Sequence, residues 1–167
     1  GTIGLCSSRA VLSGGKYIGG ITGSGKTILN CYSVVNIEDY TQYASSIAAD
    51  TTDDANIKDN YFVSDKFAGI NRVSYTGKAE PVTYEELLAM PGILPIMNRF
   101  TAIFKCEDKV LKTVEFNYGD TITEDMFPAV PEKEGYYYEW SVKSFENLTH
   151  NVIANADYIR LDTTLAS

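Results

Sequence analysis

Residues 17–37 read YIGGITGSGKTILNCYSVVNI, and the fold can be inferred from them because their second half occurs again on either side. TILNCYSVVN at 27–36 aligns with TIGLCSSRAV at 2–11 and, more loosely, with NIKDNYFVSD at 56–65. The aligned units start 25 and then 29 residues apart, and glycine-rich or polar turns separate them. Short strands that recur at a nearly constant period are typical of a parallel β-solenoid, in which each coil packs on the next.

In such a solenoid, equivalent residues of successive coils lie about 4.8 Å apart. The alignment therefore predicts an inward-facing ladder of Cys6, Cys31 and Asn60. Cys6 and Cys31 are either buried free thiols, which stacking of small apolar groups explains, or a disulfide across the ladder. The turn segments repeat as well, and they align Tyr17 with Tyr43 and Ile21 with Ile47.

Residues 20–27, GITGSGKT, have the Gly-x-x-x-x-Gly-Lys-Thr spacing of a nucleotide phosphate-binding loop. Such a loop needs a buried strand before it and a helix after it, because the helix amides point at the phosphates. Here glycine, serine and lysine interrupt the upstream residues, and the downstream ILNCYSVVNI favours a strand. We therefore predict that the glycines turn the chain between two sides of the solenoid, that Lys26 is an exposed turn residue and that Thr27 begins the next strand. The alternative is nucleotide binding at residues 20–27.

The unit at 17–37 resembles the GLUG repeat of bacterial surface proteins. The resemblance covers residues 1–65 and weakens in the third unit, which keeps Ile57, Asn60 and Tyr61 but has no cysteine. It implies a β-helical solenoid at the outer surface, without catalytic residues. The matching positions are Gly19, Gly20, Ile21, Gly23, Thr27, Ile28, Asn30, Cys31, Tyr32 and Ser33.

The character of the sequence changes over residues 77–99. Thr83 followed by Glu86 is a capping box, and Pro91 with Gly92 is a stop signal, which together predict a helix over about 84–90. A solenoid end needs such a cover, since an exposed last coil is an unpaired sheet edge. The side chains expected to cover the open end are Leu87, Leu88 and Met90.

From residue 100 onward the apolar residues recur with period two, which indicates strands. The short polar EDK between the first two strands predicts a hairpin, and further strands are predicted at 136–140 and 152–161. Tyr137 is expected to point outward. The residues expected to face inward are Phe100, Ala102, Phe104, Cys106, Val110, Val114, Phe116, Tyr118, Tyr136, Tyr138 and Trp140.

Residues 100–167 resemble the Listeria–Bacteroides repeat, also called the internalin B-repeat, which is a small β-grasp module. The resemblance implies a spacer or adhesion module of cell-wall-associated proteins. Two departures concern loops: the glycine pair between the first strands is absent, and Glu139 directly precedes Trp140. The matching positions are Val114, Tyr118, Gly119, Asp120, Pro128, Pro131, Lys133, Gly135, Tyr136, Tyr138 and Trp140.

Composition excludes several classes of function. The net charge is −8 and no basic cluster interrupts the sequence, so nucleic acid is not expected as a partner. No apolar run approaches the roughly 20 residues of a membrane span, so no membrane insertion is expected. Three cysteines without a CxxC pair and the single His150 do not make a zinc site. Because the chain begins at Gly1, we expect it to be a piece of a longer protein.

Three further sites have both a functional and a structural interpretation. Tyr137 could stack on a sugar, whereas the neighbouring rings are expected to fill the core. His150 could belong to a nominal catalytic triad, but no Gly-x-Ser-x-Gly elbow presents a nucleophile. An acidic segment could bind calcium, although it lacks the order of a calcium-binding loop and is typical of a solvated turn. Its carboxylates are Asp50, Asp53, Asp54 and Asp59.

The sequence thus predicts a mostly β fragment with a solenoid at 1–76, a helical cap at 77–99 and a β-grasp module at 100–167. The predicted function is adhesion, display or spacing by a non-catalytic part of an extracellular or cell-wall-associated bacterial protein. Its partner would be a host or cell-wall glycan or a protein, with no cofactor and no metal. Besides nucleotide binding, the alternative is a carbohydrate-active β-helix enzyme, which would need acidic or basic residues stacked on consecutive coils.

Overall fold

The computed structural model describes residues 1–162 and is mostly β, with 52% of residues in strands and 7% in helices. This confirms the predicted fold class at that level. The chain divides into two compact units, Gly1–Asn98 and a second one that begins at Arg99. In the described part of the chain, every helix is too short or too polar to cross a membrane.

The first unit consists of three sheets in which all pairs of strands are parallel. The strand orders are β1–β4–β7, β2–β5–β8–β9 and β3–β6, so that from β1 to β8 each strand belongs to a different sheet from the one before it. The chain therefore passes through the three sheets in turn and returns to the first. The strands are β1 (Thr2–Gly4), β2 (Ser7–Ser13), β3 (Lys16–Gly19), β4 (Thr22–Leu29), β5 (Tyr32–Glu38), β6 (Gln42–Ser45), β7 (Ala48–Lys58), β8 (Asn60–Phe62) and β9 (Ala79–Pro81).

The register of these sheets confirms the alignment of the three sequence units. Thr27 lies between Thr2 of β1 and Asn56 of β7. Tyr32 likewise lies between Ser7 of β2 and Tyr61 of β8. The turn segments follow the predicted pairing too: Ile21 N donates to Ile47 O at 2.9 Å, and the rings of Tyr17 and Tyr43 stack with centroids 4.8 Å apart.

The prediction that GITGSGKT is a turn holds only for Gly20 and Ile21, which form the bend between β3 and β4, and is wrong for the rest. Strand β4 runs through it from Thr22 to Leu29, with only a register irregularity between Gly25 and Thr27. Lys26 is exposed, as expected, but within a strand. The left-handed corners fall instead on a non-glycine residue before β2, β5 and β8, where φ is positive at equivalent positions of the three units. These residues are Leu5, Asn30 and Asp59.

A fourth layer of strand follows the three units. Strand β9 pairs in parallel with β8, placing Ala79 beside Asn60, although this part of the sequence carries no repeat motif. It lies within the predicted cap segment, 77–99. The edge beyond β8 is therefore covered by a strand, and its last residue, Pro81, lacks an amide hydrogen that a further strand would need.

The predicted helix is confirmed as α1, Tyr84–Leu88, two residues shorter than expected. Leu87 is fully buried. The helix and the 3₁₀ turn at Pro95–Asn98 belong to a segment that contacts β2 and β5: Tyr32 Oη donates to Pro91 O at 3.5 Å. The expectation that this segment covers the open end is thus corrected, because its recorded neighbours lie on a face of the β2–β5–β8–β9 sheet.

We predict that Thr83→Ala destabilises the first unit by about 1 kcal/mol. The Thr83 hydroxyl accepts a hydrogen bond from Glu86 N at 3.2 Å, and the Glu86 carboxylate accepts one from Thr83 N at 2.8 Å. Urea unfolding followed by circular dichroism measures the change. Thr76→Ala, at an exposed turn position, is the control and should stay within about 0.5 kcal/mol of the parent. Equal effects of the two substitutions would show that the cap does not stabilise this segment.

The second unit contains a four-stranded sheet in the order β11–β10–β15–β13 and a two-stranded sheet, β12–β14. Strands β10 and β15 are parallel, and the other neighbours are antiparallel. The predicted hairpin between the first two strands is confirmed. A short 3₁₀ turn lies at Glu124–Met126. The strands are β10 (Phe100–Cys106), β11 (Lys109–Phe116), β12 (Ile122–Thr123), β13 (Tyr136–Trp140), β14 (Ser144–Phe145) and β15 (Val152–Arg160).

The alternation predicted for β10 is confirmed, since its four inward positions are buried. The alternation predicted for β11 fails at Val110, which is half exposed. The register shifts between Phe104 and Lys105, so that Leu111 is an extra residue opposite this point. A bulge of this kind moves the following side chains to the other face, and Leu111 packs in the core instead of Val110.

Candidate functional site

The tyrosines of β13 lie at the surface and not in the core. Tyr136 is 37% exposed, and Tyr137 and Tyr138 are each 44% exposed. The prediction that Tyr136 and Tyr138 face the core is therefore wrong. Trp140, at the other end of the strand, does pack in the core, with its ring centroid 5.2 Å from that of Phe127.

The register of β15 explains this difference. Its first half, 152–156, pairs with β10, whereas its second half, 156–160, pairs with β13. Strand β13 is at the edge of the sheet, and its first residues extend past the part of β15 that β10 covers. Trp140 lies opposite Ala156, beside the core, while Tyr136 lies opposite Arg160, beyond it.

The exposed rings border a cleft of about 690 Å³. Tyr138 lies directly opposite Tyr158 of β15, so these two side chains and Tyr136 share one face of the sheet, while Tyr137 belongs to the other face. The segment from Val130 to Glu134 forms the opposite wall. We call this the tyrosine cleft, defined by Tyr136, Tyr137, Tyr138, Tyr158 and residues 130–134.

Lys133 holds the wall segment against the sheet. Its Nζ lies 4.8 Å from the ring centroids of both Tyr136 and Tyr158, within the range of a cation–π contact. It also lies 2.9 Å from Glu107 Oε1, and the hydrogen bond to this carboxylate raises the pKa of Lys133. Tyr158 Oη donates to Pro131 O at 2.5 Å. The wall and the rings are thus fixed before any ligand binds.

The tyrosine cleft is polar at its rim and carries negative charge. Glu132 and Glu134 line it and are exposed, whereas the ammonium of Lys133 is already paired with Glu107. The hydrogen bond with Cys106 and burial raise the pKa of Tyr158, so its hydroxyl stays neutral at physiological pH. Aromatic faces beside carboxylates suit a ligand with both apolar and hydroxyl surfaces.

Of the sequence-predicted site residues, only Tyr137 lies at this cleft. Sequence reasoning missed the contribution of Lys133 and Tyr158, because it depends on which half of β15 pairs with β13. The sequence contained a weak indication of each residue. Lys133 stands at a position that matches the Listeria–Bacteroides repeat, and Tyr158 is an aromatic residue in a strand with alternating apolar positions.

The acidic segment of the first unit is not gathered around a common point. Asp50 lies 3.4 Å from Arg72, and Asp54 is paired with Lys78 at 2.5 Å, a hydrogen bond that lowers the pKa of Asp54. Within residues 1–162, no three His, Cys, Asp or Glu side chains are placed to hold a metal ion. The remaining aspartates of the segment are Asp53 and Asp59.

Two other sequence candidates are the phosphate-loop-like stretch and His150. Lys26 and Thr27 belong to strand β4, which leads to strand β5 and not to a helix, so the amides of the stretch join a sheet and do not converge on a phosphate. His150 Nδ1 lies 3.2 Å from the hydroxyl of its neighbour Thr149.

Comparisons with protein-family models, with curated protein sequences and with solved structures gave no match. The residues and geometry of the tyrosine cleft, together with the stacked units of Gly1–Asn98, are therefore the basis on which a function can be proposed. The cleft combines exposed aromatic surface, a fixed wall and an acidic rim.

Proposed function

We propose that the chain is a non-catalytic part of a bacterial cell-surface protein, located outside the cell or on the wall, that displays a glycan-binding module. In this proposal the first unit is a GLUG-like β-solenoid that serves as a spacer, and the second is a β-grasp module of the Listeria–Bacteroides type. The parallel register at a nearly constant offset supports the solenoid. The mixed sheet with parallel central strands, β10 and β15, supports the β-grasp.

The observation that carries the binding function is the exposure of the β13 tyrosines at the edge of the sheet. Leaving 37–44% of the surface of these three residues in water forgoes about 25 cal/mol for each Å² of apolar surface that could be buried. A ligand that stacks on the rings recovers part of this free energy. Lys133 keeps the opposite wall in place, so little conformational entropy is lost on binding.

The chemistry of the rim selects the class of ligand. Glu132 and Glu134 at the cleft and the net charge of −8 oppose the approach of sulfated, sialylated or uronic acid-rich chains. A neutral glycan, by contrast, offers C–H faces for the tyrosines and hydroxyls that donate to the carboxylates. Neutral sugars are therefore the ligands that this cleft fits best.

The enzymatic alternative finds less support in the first unit. A polysaccharide-cleaving β-helix would carry carboxylates stacked on neighbouring coils, about one strand spacing apart. In the paired parallel strands between residues 2 and 81, acidic side chains lie opposite other residue types, for example Asp50 opposite Ser24 and Glu38 opposite Ser13.

We predict that the chain binds a neutral oligosaccharide on a glycan array and that Tyr138→Ala weakens this binding at least about tenfold, or roughly 1.4 kcal/mol. The reason is that Tyr138 contributes exposed ring surface to the cleft on the same face as Tyr158. Calorimetry with the best array ligand measures the change. Tyr75→Ala removes a 60% exposed ring from the first unit and should leave the affinity unchanged.

Three outcomes would contradict the proposal. The absence of signal on every glycan would remove the binding function, and preference for anionic chains would refute the argument from the acidic rim. Equal affinity of Tyr138→Ala and the parent would place the ligand elsewhere. Tyr137→Ala is a third variant. It should reduce the affinity less than Tyr138→Ala does, because Tyr137 belongs to the other face of the strand.

A further inference from the structure

The cysteines of the first two sequence units lie one above the other in the first unit. Cys6 and Cys31 stand at equivalent positions, since the residues on either side are paired: Gly4 with Leu29 and Ser7 with Tyr32. Tyr32 N donates to Cys6 O at 2.9 Å, which ties the two backbones together at this point.

The two thiols also have the same local conformation. Each donates to the carbonyl two residues earlier, Cys6 Sγ to Gly4 O at 3.3 Å and Cys31 Sγ to Leu29 O at 3.4 Å. Neighbouring strands are about 4.8 Å apart, which lies inside the roughly 4.4–6.8 Å between Cα atoms that a disulfide can bridge. To form the bond, the sulfurs must leave these carbonyl groups and rotate toward each other.

The two thiols differ in their access to solvent. Cys31 is fully buried, and its other neighbour in the ladder is Asn60, whose side-chain oxygen accepts a hydrogen bond from Cys31 N at 3.0 Å. Cys6 is half-buried and both thiols are free. Burial raises the pKa of the Cys31 thiol. Cys6 is thus the thiol that a reagent from solvent reaches first.

We propose that Cys6 and Cys31 are a thiol–disulfide exchange site that a small disulfide, such as oxidised glutathione, converts into an intramolecular disulfide. The Cys6 thiolate attacks one sulfur of glutathione disulfide, forms a mixed disulfide and releases one glutathione thiolate. Cys31 then loses its proton to solvent and attacks Cys6 Sγ, which breaks the mixed disulfide and releases the second glutathione. Two protein thiols are oxidised and one glutathione disulfide is reduced to two glutathione molecules.

The disulfide would cross-link the first coil to the second. It closes a loop of about 25 residues, which reduces the conformational freedom of the unfolded chain. The link would join the corner between β1 and β2, which holds Cys6, to the corner between β4 and β5, which holds Cys31.

The test incubates the full 167-residue chain with glutathione disulfide at pH 8 and maps the products by peptide mass spectrometry. We expect a Cys6–Cys31 cross-link with the loss of two hydrogens, and a Tm that rises by about 5 °C or more. Formation should be faster at pH 9 than at pH 7, because the attacking groups are thiolates.

Two variants separate the cross-link from other oxidation. Cys106→Ser removes the third thiol, which belongs to the second unit, and should keep both the cross-link and the rise in Tm. Cys6→Ser should lose both. A stable mixed disulfide on Cys6, a cross-link that involves Cys106 or a cross-link without a rise in Tm would each overturn the proposal. The mass measurement on the parent chain remains decisive even if a variant folds poorly.

Discussion

Asn60→Ala is expected to destabilise the first unit by about 3–5 kcal/mol, because it removes three hydrogen bonds to the backbone, among them the one that the buried Cys31 N donates. The Asn60 side chain is fully buried. Its oxygen accepts from Cys31 N at 3.0 Å, and its nitrogen donates to Ile28 O and to Lys78 O, each at 2.9 Å. Alanine can replace none of these bonds, and the space that it leaves is too enclosed for the backbone groups to reach solvent freely.

The measurement has to follow the first unit itself. The single tryptophan, Trp140, lies in the second unit, so its fluorescence does not report directly on the first unit. Hydrogen exchange of the amides of β4 and β5 gives a local free energy of opening, which should fall by the stated amount. Asn36→Ala is the matched control, because Asn36 Nδ2 bonds only the exposed Glu38 carboxylate at 2.7 Å among the recorded contacts and should cost less than about 1 kcal/mol. Similar losses for the two variants would contradict the role assigned to Asn60.

Asn60 also shows how far the sequence could predict this fold. Aligning Cys6, Cys31 and Asn60 predicted the ladder correctly, since parallel strands in register must stack equivalent residues. The reason for asparagine at the third step could not be predicted. One of the carbonyl groups to which its side chain donates belongs to Lys78, directly before β9. Strand β9 has no repeat motif, and fewer residues separate it from β8 than separate the earlier paired strands, so the alignment could not predict this layer. A thiol at this step could not bond carbonyl groups of both neighbouring layers.

The candidate site depended even more on long-range register. Alternation within YYYEW assigns Tyr136 and Tyr138 to the face of Trp140, and the pairing with β15 confirms that they share it. That face is covered only where β10 also pairs with β15, and this pairing ends at Ala156. Such an offset between strands is not a property of any local stretch. The bulge at Leu111 is also a matter of register between strands. Its only sign in the local sequence is Lys112, which interrupts the apolar pattern of β11.

Gly20→Ala is expected to destabilise the first unit by about 3 kcal/mol or more, because Ser46 and Ser33 approach too closely for any side chain at this position. A Cβ atom on Gly20 would overlap Ser46 O and Ser33 Oγ and lie 3.0 Å from Ser46 C. Gly20 N donates a hydrogen bond to Ser45 O at 3.2 Å, so the backbone cannot move away without breaking this bond. Overlap with backbone is costly because a rotamer change cannot relieve it.

Gly15→Ala is the matched control for this substitution. It lies five residues earlier in the same glycine-rich stretch, and no heavy atom lies within 4 Å of the Cβ it would gain. Its effect should stay within about 0.5 kcal/mol, measured by hydrogen exchange in β4 and β6. The comparison distinguishes two uses of glycine. If Gly20 served only to turn the chain, Gly20→Ala and Gly15→Ala would cost similar amounts. If Gly20 is needed because Ser46 packs directly on it, only Gly20→Ala is severe, and the first glycine of the spacing that mimics a phosphate-binding loop is then a consequence of this packing.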